Sequence, residues 1–136
     1  ENKQKLAEDL LAVRFLLEPS IAGMAAANAS EQDIEKLSEL CKEVEELLIN
    51  GKNHTEKDIE FHTAIAMSSK NLVVPRLIPV INSSIPLFIQ LTNSNLIQET
   101  IETHVDITEA IRNHDVIGAK DAMYLHLVYN RKRIFR

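Results

Sequence analysis

Apolar residues recur at every third or fourth position along almost the whole chain, and a chain patterned this way buries them by folding into helices. The clearest stretch opens at Ser30-Glu31-Gln32-Asp33, where a hydroxyl cap is followed three residues later by an acid. Ile34, Leu37, Cys41, Val44 and Leu48 then hold one face until Asn50-Gly51, a helix stop. Upstream, Lys5 to Asn28 predicts a helix with Leu6, Leu10, Val13, Leu17, Ile21 and Met24 on its buried face, kinked or divided at Pro19. Thr55 is suited to cap a third helix carrying Asp58, Phe61, His62, Ile65 and Ala66, which Ser68-Ser69-Lys70 ends.

A fourth segment, capped by Asn71 and reaching to about Thr92, contains three prolines. Pro75 fits an early turn, whereas Pro79 and Pro86 should bend or break the helix. A fifth helix, about Asn95 to Asn113, aligns Ile97, Ile101, His104, Thr108 and Ile111. A sixth, from Asp115, aligns Val116, Ala119, Met123, His126 and Asn130. Only 3 glycines and 4 prolines, with 4% aromatics, argue against a sandwich or barrel, while 45% apolar residues suffice for one core. The expected fold is therefore all-α: an antiparallel bundle of about six helices, one domain over residues 1–136.

A net charge of -5 opposes binding of nucleic acid by this chain itself. The terminal run Arg131-Lys132-Arg133-Ile134-Phe135-Arg136 reads as a solvated helix end that complements the helix dipole. Cys41 is the single cysteine and lies in an apolar stripe, as a small buried hydrophobe would in a reducing compartment. No uninterrupted apolar run reaches the ~18 residues of a membrane span, so a cytoplasmic location is expected. The chain opens on Glu1 rather than Met, which suggests a fragment with residues missing upstream.

Asp58 and His62 are one helical turn apart and project from the same face. His104 and His126 each stand where the helical period calls for an apolar, inward residue. Three helices thus aim imidazole or carboxylate at the core, where such groups are costly unless paired or bound to a cation. One divalent ion would satisfy all four, and three imidazoles with one carboxylate suit zinc, nickel, cobalt, iron or manganese better than magnesium or calcium. The alternative is a set of hydrogen-bonded core histidines with Asp58 as a first-turn acid favoured by the dipole. His54, in the Gly-Lys-Asn loop, and His114, in the Asn-His-Asp turn, fit surface or capping roles.

Several motifs in order resemble the FadR C-terminal domain (FCD) of GntR-family transcription regulators. Arg14-Phe15-Leu16-Leu17-Glu18 with Ala22, Ala25 and Ala26 resembles its opening Arg-x-x-x-Glu and alanine-rich stretch. Asp58-Ile59-Glu60-Phe61-His62, trailed by Asn71, resembles its Asp-x-x-Phe-His motif. His104-Val105-Asp106-Ile107-Thr108-Glu109-Ala110-Ile111 and the later Ala119, Ala122, Met123, His126-Leu127 resemble the remaining two.

The resemblance implies a helical bundle enclosing a metal held by Asp58, His62, His104 and His126, with zinc as first candidate. It further implies a small carboxylate effector completing the coordination sphere, operator DNA bound only through a winged helix-turn-helix domain absent from this chain, and a homodimer. Arg14, whose planar fork matches two carboxylate oxygens, is the expected clamp, against a plain pairing with Glu18 four residues on. Asn82, Ser83 and Ser84 could line the effector cavity or soften the bend before Pro86. Two rivals stand beside this regulator, which is not an enzyme. One is a hydrolase-like metalloenzyme, for which Glu60 and Asp106 lie off the ligand face; the other is a purely structural metal.

Overall fold

In the computed structural model, which describes residues 2–92 and 95–135, the helical pattern resolves into α1 (Asn2–Asn28), α2 (Glu31–Ile49), α3 (Thr55–Ser68), α4 (Ile78–Thr92), α5 (Ile97–Arg112) and α6 (Val116–Ile134). A 3-10 turn, Val74–Leu77, precedes α4, and no strand occurs among the described residues. The fold is an all-α bundle. Glu1 and Arg136, the two ends named in the sequence reading, lie outside the described residues, whereas Arg131, Lys132 and Arg133 form the last turn of α6.

Local signals account for the best-defined elements. Ser30 and Asp33 close a reciprocal capping box: the Asp33 amide donates to Ser30 Oγ at 3.1 Å and the Ser30 amide to Asp33 Oδ2 at 2.9 Å. Such a cap is worth ~1 kcal/mol. At its other end α2 stops at Gly51, whose φ of 67° is open to glycine and strained for other residues. The amides of Gly51 and Lys52 reach back to the carbonyls of Leu48 and Leu47, which fixes the path of the loop into α3. Asp115 caps α6 by accepting from the Gly118 amide at 2.9 Å.

The core is two apolar clusters. The larger gathers Ile21, Ala22, Ala25 and Ala26 of α1 with Leu37, Phe61, Ile65, Ile107, Ile111 and Met123. The smaller joins Ala7 and Leu11 of α1 to Phe88 and Leu127. On α1 the residues between these clusters are Arg14 and Glu18, and on α6 His126 falls between Met123 and Leu127. A polar layer thus separates the two clusters, and the functional candidates occupy it.

The structure corrects four expectations. The buried line of α1 runs through Ala7, Leu11, Arg14, Glu18, Ile21, Ala22 and Ala25, not Leu6, which is 52% exposed. Alanines turn inward there because α1 packs closely along α6, and the polar pair turns inward because it finds partners. Pro19 is half-buried within an unbroken helix; the packing on both sides of it outweighs one lost backbone bond. The fourth segment divides between Leu77 and Ile78, which leaves Pro79 in the first turn of α4, where no amide is required, and Pro86 inside the helix. Thr55 is the first residue of α3 and His54 takes the cap position before it.

By length and composition α1 and the segment Val74–Thr92 would each suffice to cross a membrane, although the sequence contains no uninterrupted apolar run of that length. Their buried faces carry Arg14 and Glu18, and Ser84 and Thr92, against other helices of the bundle. A core helix of such a bundle passes the same length test.

Candidate metal centre and cavity

Asp58, His62, His104 and His126 are all buried, as the helical phase requires, and α3, α5 and α6 bring them together. The three imidazoles each offer a ring nitrogen, and these nitrogens lie within 4.8 Å of one another. Asp58 Oδ1 is 3.4 Å from His62 Nε2 and 3.4 Å from His104 Nε2. Two atoms each about 2.1 Å from one central ion and at the tetrahedral angle would stand about 3.4 Å apart.

The remaining ring positions decide which nitrogens are free. His62 Nδ1–H donates to Glu18 Oε1 at 2.7 Å, which leaves Nε2, on the Asp58 side, as the nitrogen a metal could take once its proton is released. The Thr103 hydroxyl donates to the Glu99 carbonyl at 2.8 Å and therefore accepts from His126 Nδ1–H at 3.0 Å, so His126 also presents Nε2. A partner on one ring nitrogen that fixes the tautomer and frees the other is the arrangement metal-ligating histidines use. His104 stacks on Phe61, ring centroids 4.3 Å apart, and both its nitrogens are buried without a hydrogen-bond partner. Asp58 Oδ1 and His62 Nε2 are likewise buried and unpartnered. Each such group costs about 1–3 kcal/mol, so their convergence calls for a cation, and the donor set fits one.

Electrostatics agree. Burial alone would raise both carboxyls, yet Arg14 and His62 hold Glu18 well below the usual carboxylate range, and the imidazoles do the same for Asp58. Burial would lower His62, but Glu18 and Asp58 on its two sides outweigh it and push the ring up to about 9. Burial lowers His104 to about 4, and His126 falls well below its ordinary value for the same reason. The Arg14 guanidinium and the His62 ring thus balance the two ionised carboxylates in the metal-free fold, while the other two rings are kept neutral, the form in which imidazole binds a metal.

Arg14 donates through Nε to Glu18 Oε2 and lies 5.0 Å over the Phe88 ring. Both readings of its role meet here: it pairs with Glu18 and keeps Nη2 buried and unpartnered, and the residue lines a cavity of about 30 Å³. Asp58, His62, His126 and His54 share that wall. Asn82 and Ser83 do not. Asn82 donates to Thr63 at 3.3 Å, exposed Ser83 bonds the Val80 carbonyl of its own helix, and Ser84 bonds that of Ile81.

Sequence reasoning missed two residues. Glu18 was legible only as a partner for Arg14, although the Arg-x-x-x-Glu spacing carried it. His54 is buried at 6% exposure rather than on the surface, because the loop after α2 folds it back over the cavity. His114 does take a capping role, its Nδ1–H donating to the Ala26 carbonyl in the last turn of α1 at 2.9 Å. Glu60 lies beside Lys57 and Asp106 is exposed; neither lines the cavity, as their helical phase led us to expect.

Comparison with known proteins places this geometry in a family. The FCD domain matches residues 9–129. The Uxu operon regulator of Haemophilus influenzae is 32% identical over 137 residues, covering 93% of this chain and 50% of the relative. A putative L-lactate dehydrogenase operon regulatory protein of Escherichia coli is 32% identical over 136 residues, 89% of this chain and 48% of the relative. The solved structure of Streptococcus agalactiae GntR superposes with a TM-score of 0.83 at 33% identity, over 97% of this chain and 60% of that one. The chain spans about half the length of the curated relatives it matches, and those relatives are named as regulators rather than enzymes. The chain belongs to the FCD domain family of GntR-type transcription regulators.

Proposed function

We propose that residues 1–136 are the metal-dependent effector domain of a regulator whose DNA-binding part, a winged helix-turn-helix, lies outside this sequence. Asp58, His62, His104 and His126 would hold one divalent transition ion, with zinc first and nickel, manganese, cobalt or iron as alternatives. The observation that carries this reading is the convergence of Asp58 Oδ1, His62 Nε2 and His104 Nε2, buried together without partners. Bound there, the ion would supply positive charge and open coordination positions for oxygen ligands.

Arg14 gives the second half. Arg14 lines the cavity, and its unpartnered Nη2 suits one oxygen of a carboxylate, while Glu18 holds the rest of the guanidinium in place. A small organic acid is the ligand class this favours, and a relative named for an L-lactate dehydrogenase operon is in keeping with it. Arg14 and Glu18 on α1, His62 on α3 and His126 on α6 meet at one point, so a ligand held there biases how these helices pack. In a cytoplasmic homodimer that bias would reach operator DNA through the missing domain, with a coupling typically ~1–3 kcal/mol.

A thermal-shift screen of the metal-loaded chain against organic acids tests this directly. An acid that stabilises the chain only with metal present, and fails with Arg14→Ala, is the expected result. Equal stabilisation with and without metal would overturn it. A solely structural metal is the second reading; the free Arg14 Nη2 counts against it.

A further inference from the structure

Beside the inner cavity, and sharing Leu48, His54 and Ile89 with it, lies an outer groove of about 440 Å³. The inner cavity, at about 30 Å³, holds one or two water-sized groups, whereas sites for whole organic ligands commonly span about 300–1,000 Å³. His54 is the polar residue common to both spaces. Its backbone is fixed on one side by the Gly51 stop of α2 and on the other by its carbonyl, which accepts from the Asp58 amide at 2.9 Å. Its ring makes no capping bond to α3 and so remains available to the cavity. Beyond it, exposed Lys52, Asn53 and Gln90 line the outer groove with donors, one of them cationic.

We propose that His54 divides the effector site into two compartments and that the effector spans both, with its carboxylate inside and a polar chain running past His54 to Lys52. The proposal rests on the carboxylate reading above and adds to it the ligand's length and chemistry: an extended organic acid bearing hydroxyl or second carboxyl groups, in preference to a two-carbon acid. The metal-lined cavity reads the acid head, which all such ligands share. His54 and Lys52 read what distinguishes them, because a site built to hydrogen-bond a polar group discriminates strongly against a ligand that lacks it.

Calorimetric titration of the metal-loaded chain with glycolate, gluconate and galactonate tests this. At least one six-carbon acid is expected to bind ten times more tightly than glycolate or better. His54→Ala should weaken that acid by up to about tenfold, the upper range for one hydrogen bond, and leave glycolate within about twofold. Lys52→Ala, at an exposed position, should act in the same direction without disturbing the fold. If glycolate binds as tightly as the longer acids, or if both variants leave the preference unchanged, the two-compartment site is overturned while the carboxylate reading stands. If none of the three acids binds the metal-loaded chain, the carboxylate reading falls together with it.

Discussion

Glu18 Oε1 accepts the Nδ1 proton of His62 at 2.7 Å, so a carboxylate on α1 fixes the tautomer of a ring on α3. The other oxygen of the same carboxylate takes Arg14 Nε. Glu18 therefore joins the proposed metal ligand to the proposed effector clamp. Glu18→Gln keeps the size of the side chain but removes its charge, and partners of this kind typically carry tenfold to a hundredfold in metal affinity. Competition with a chromogenic chelator should show a loss of about that size, and unchanged affinity would mean that Glu18 serves packing alone.

His104 has neither ring nitrogen satisfied and stacks on Phe61. His104→Phe fills a similar volume with no polar atoms. With chelator present the variant should melt at or above the temperature of the parent chain, because replacing an unsatisfied buried polar group by an apolar one is neutral or stabilising. With metal present the order should reverse, since only the parent gains from binding. Melting curves in both conditions check this.

The pH dependence follows from opposite shifts. His62, raised from 6.5 to about 9 in the metal-free fold, contributes stability that is fully present below about 6.5 and is lost as pH rises through about 9. His104, lowered by burial to about 4, makes the unfolded chain bind more protons between 4 and 6.5, so stability declines as pH falls through that window. The lowered carboxyls of Glu18 and Asp58 add to the acid loss. The metal-free Tm should therefore peak near pH 6.5, falling on the acid side through His104 and the carboxyls and on the alkaline side, up to about 9, through His62. Metal binding at neutral pH should release a proton from His62, visible as a calorimetric heat that varies with the buffer's ionisation enthalpy, and should abolish the alkaline decline.

How much of this was legible depends on how local each signal is. The α2 helix could be read whole, because Ser30, Asp33, the stripe to Leu48 and Gly51 all act within a few residues of one another. The four candidate ligands could be read because each interrupts an apolar line. The inward face of α1 was misread for the converse reason: the apolar spacing points to Leu6 and leaves Arg14 and Glu18 off the buried line. Only the family resemblance marks Arg14 as facing the site, and His62 and Phe88, which surround the pair, come from distant parts of the chain. His54 sits in a polar loop whose return over the cavity depends on α2 and α3 packing together, which no local pattern encodes.

Ser83 supplies a negative control. It is exposed and bonded to its own helix, so Ser83→Ala should change stability by less than ~0.5 kcal/mol and leave acid binding unaltered. Urea denaturation and the same titrations would check it. A marked loss of acid binding would move the effector site onto the outer face of α4.

Elemental analysis of the chain purified without chelator bears most directly on the metal centre. About one transition-metal ion per chain is expected, falling to background in His104→Phe while that variant remains folded. Background metal in the parent chain, with a Tm that neither chelator nor added zinc alters, would contradict the assignment of Asp58, His62, His104 and His126 as a metal site.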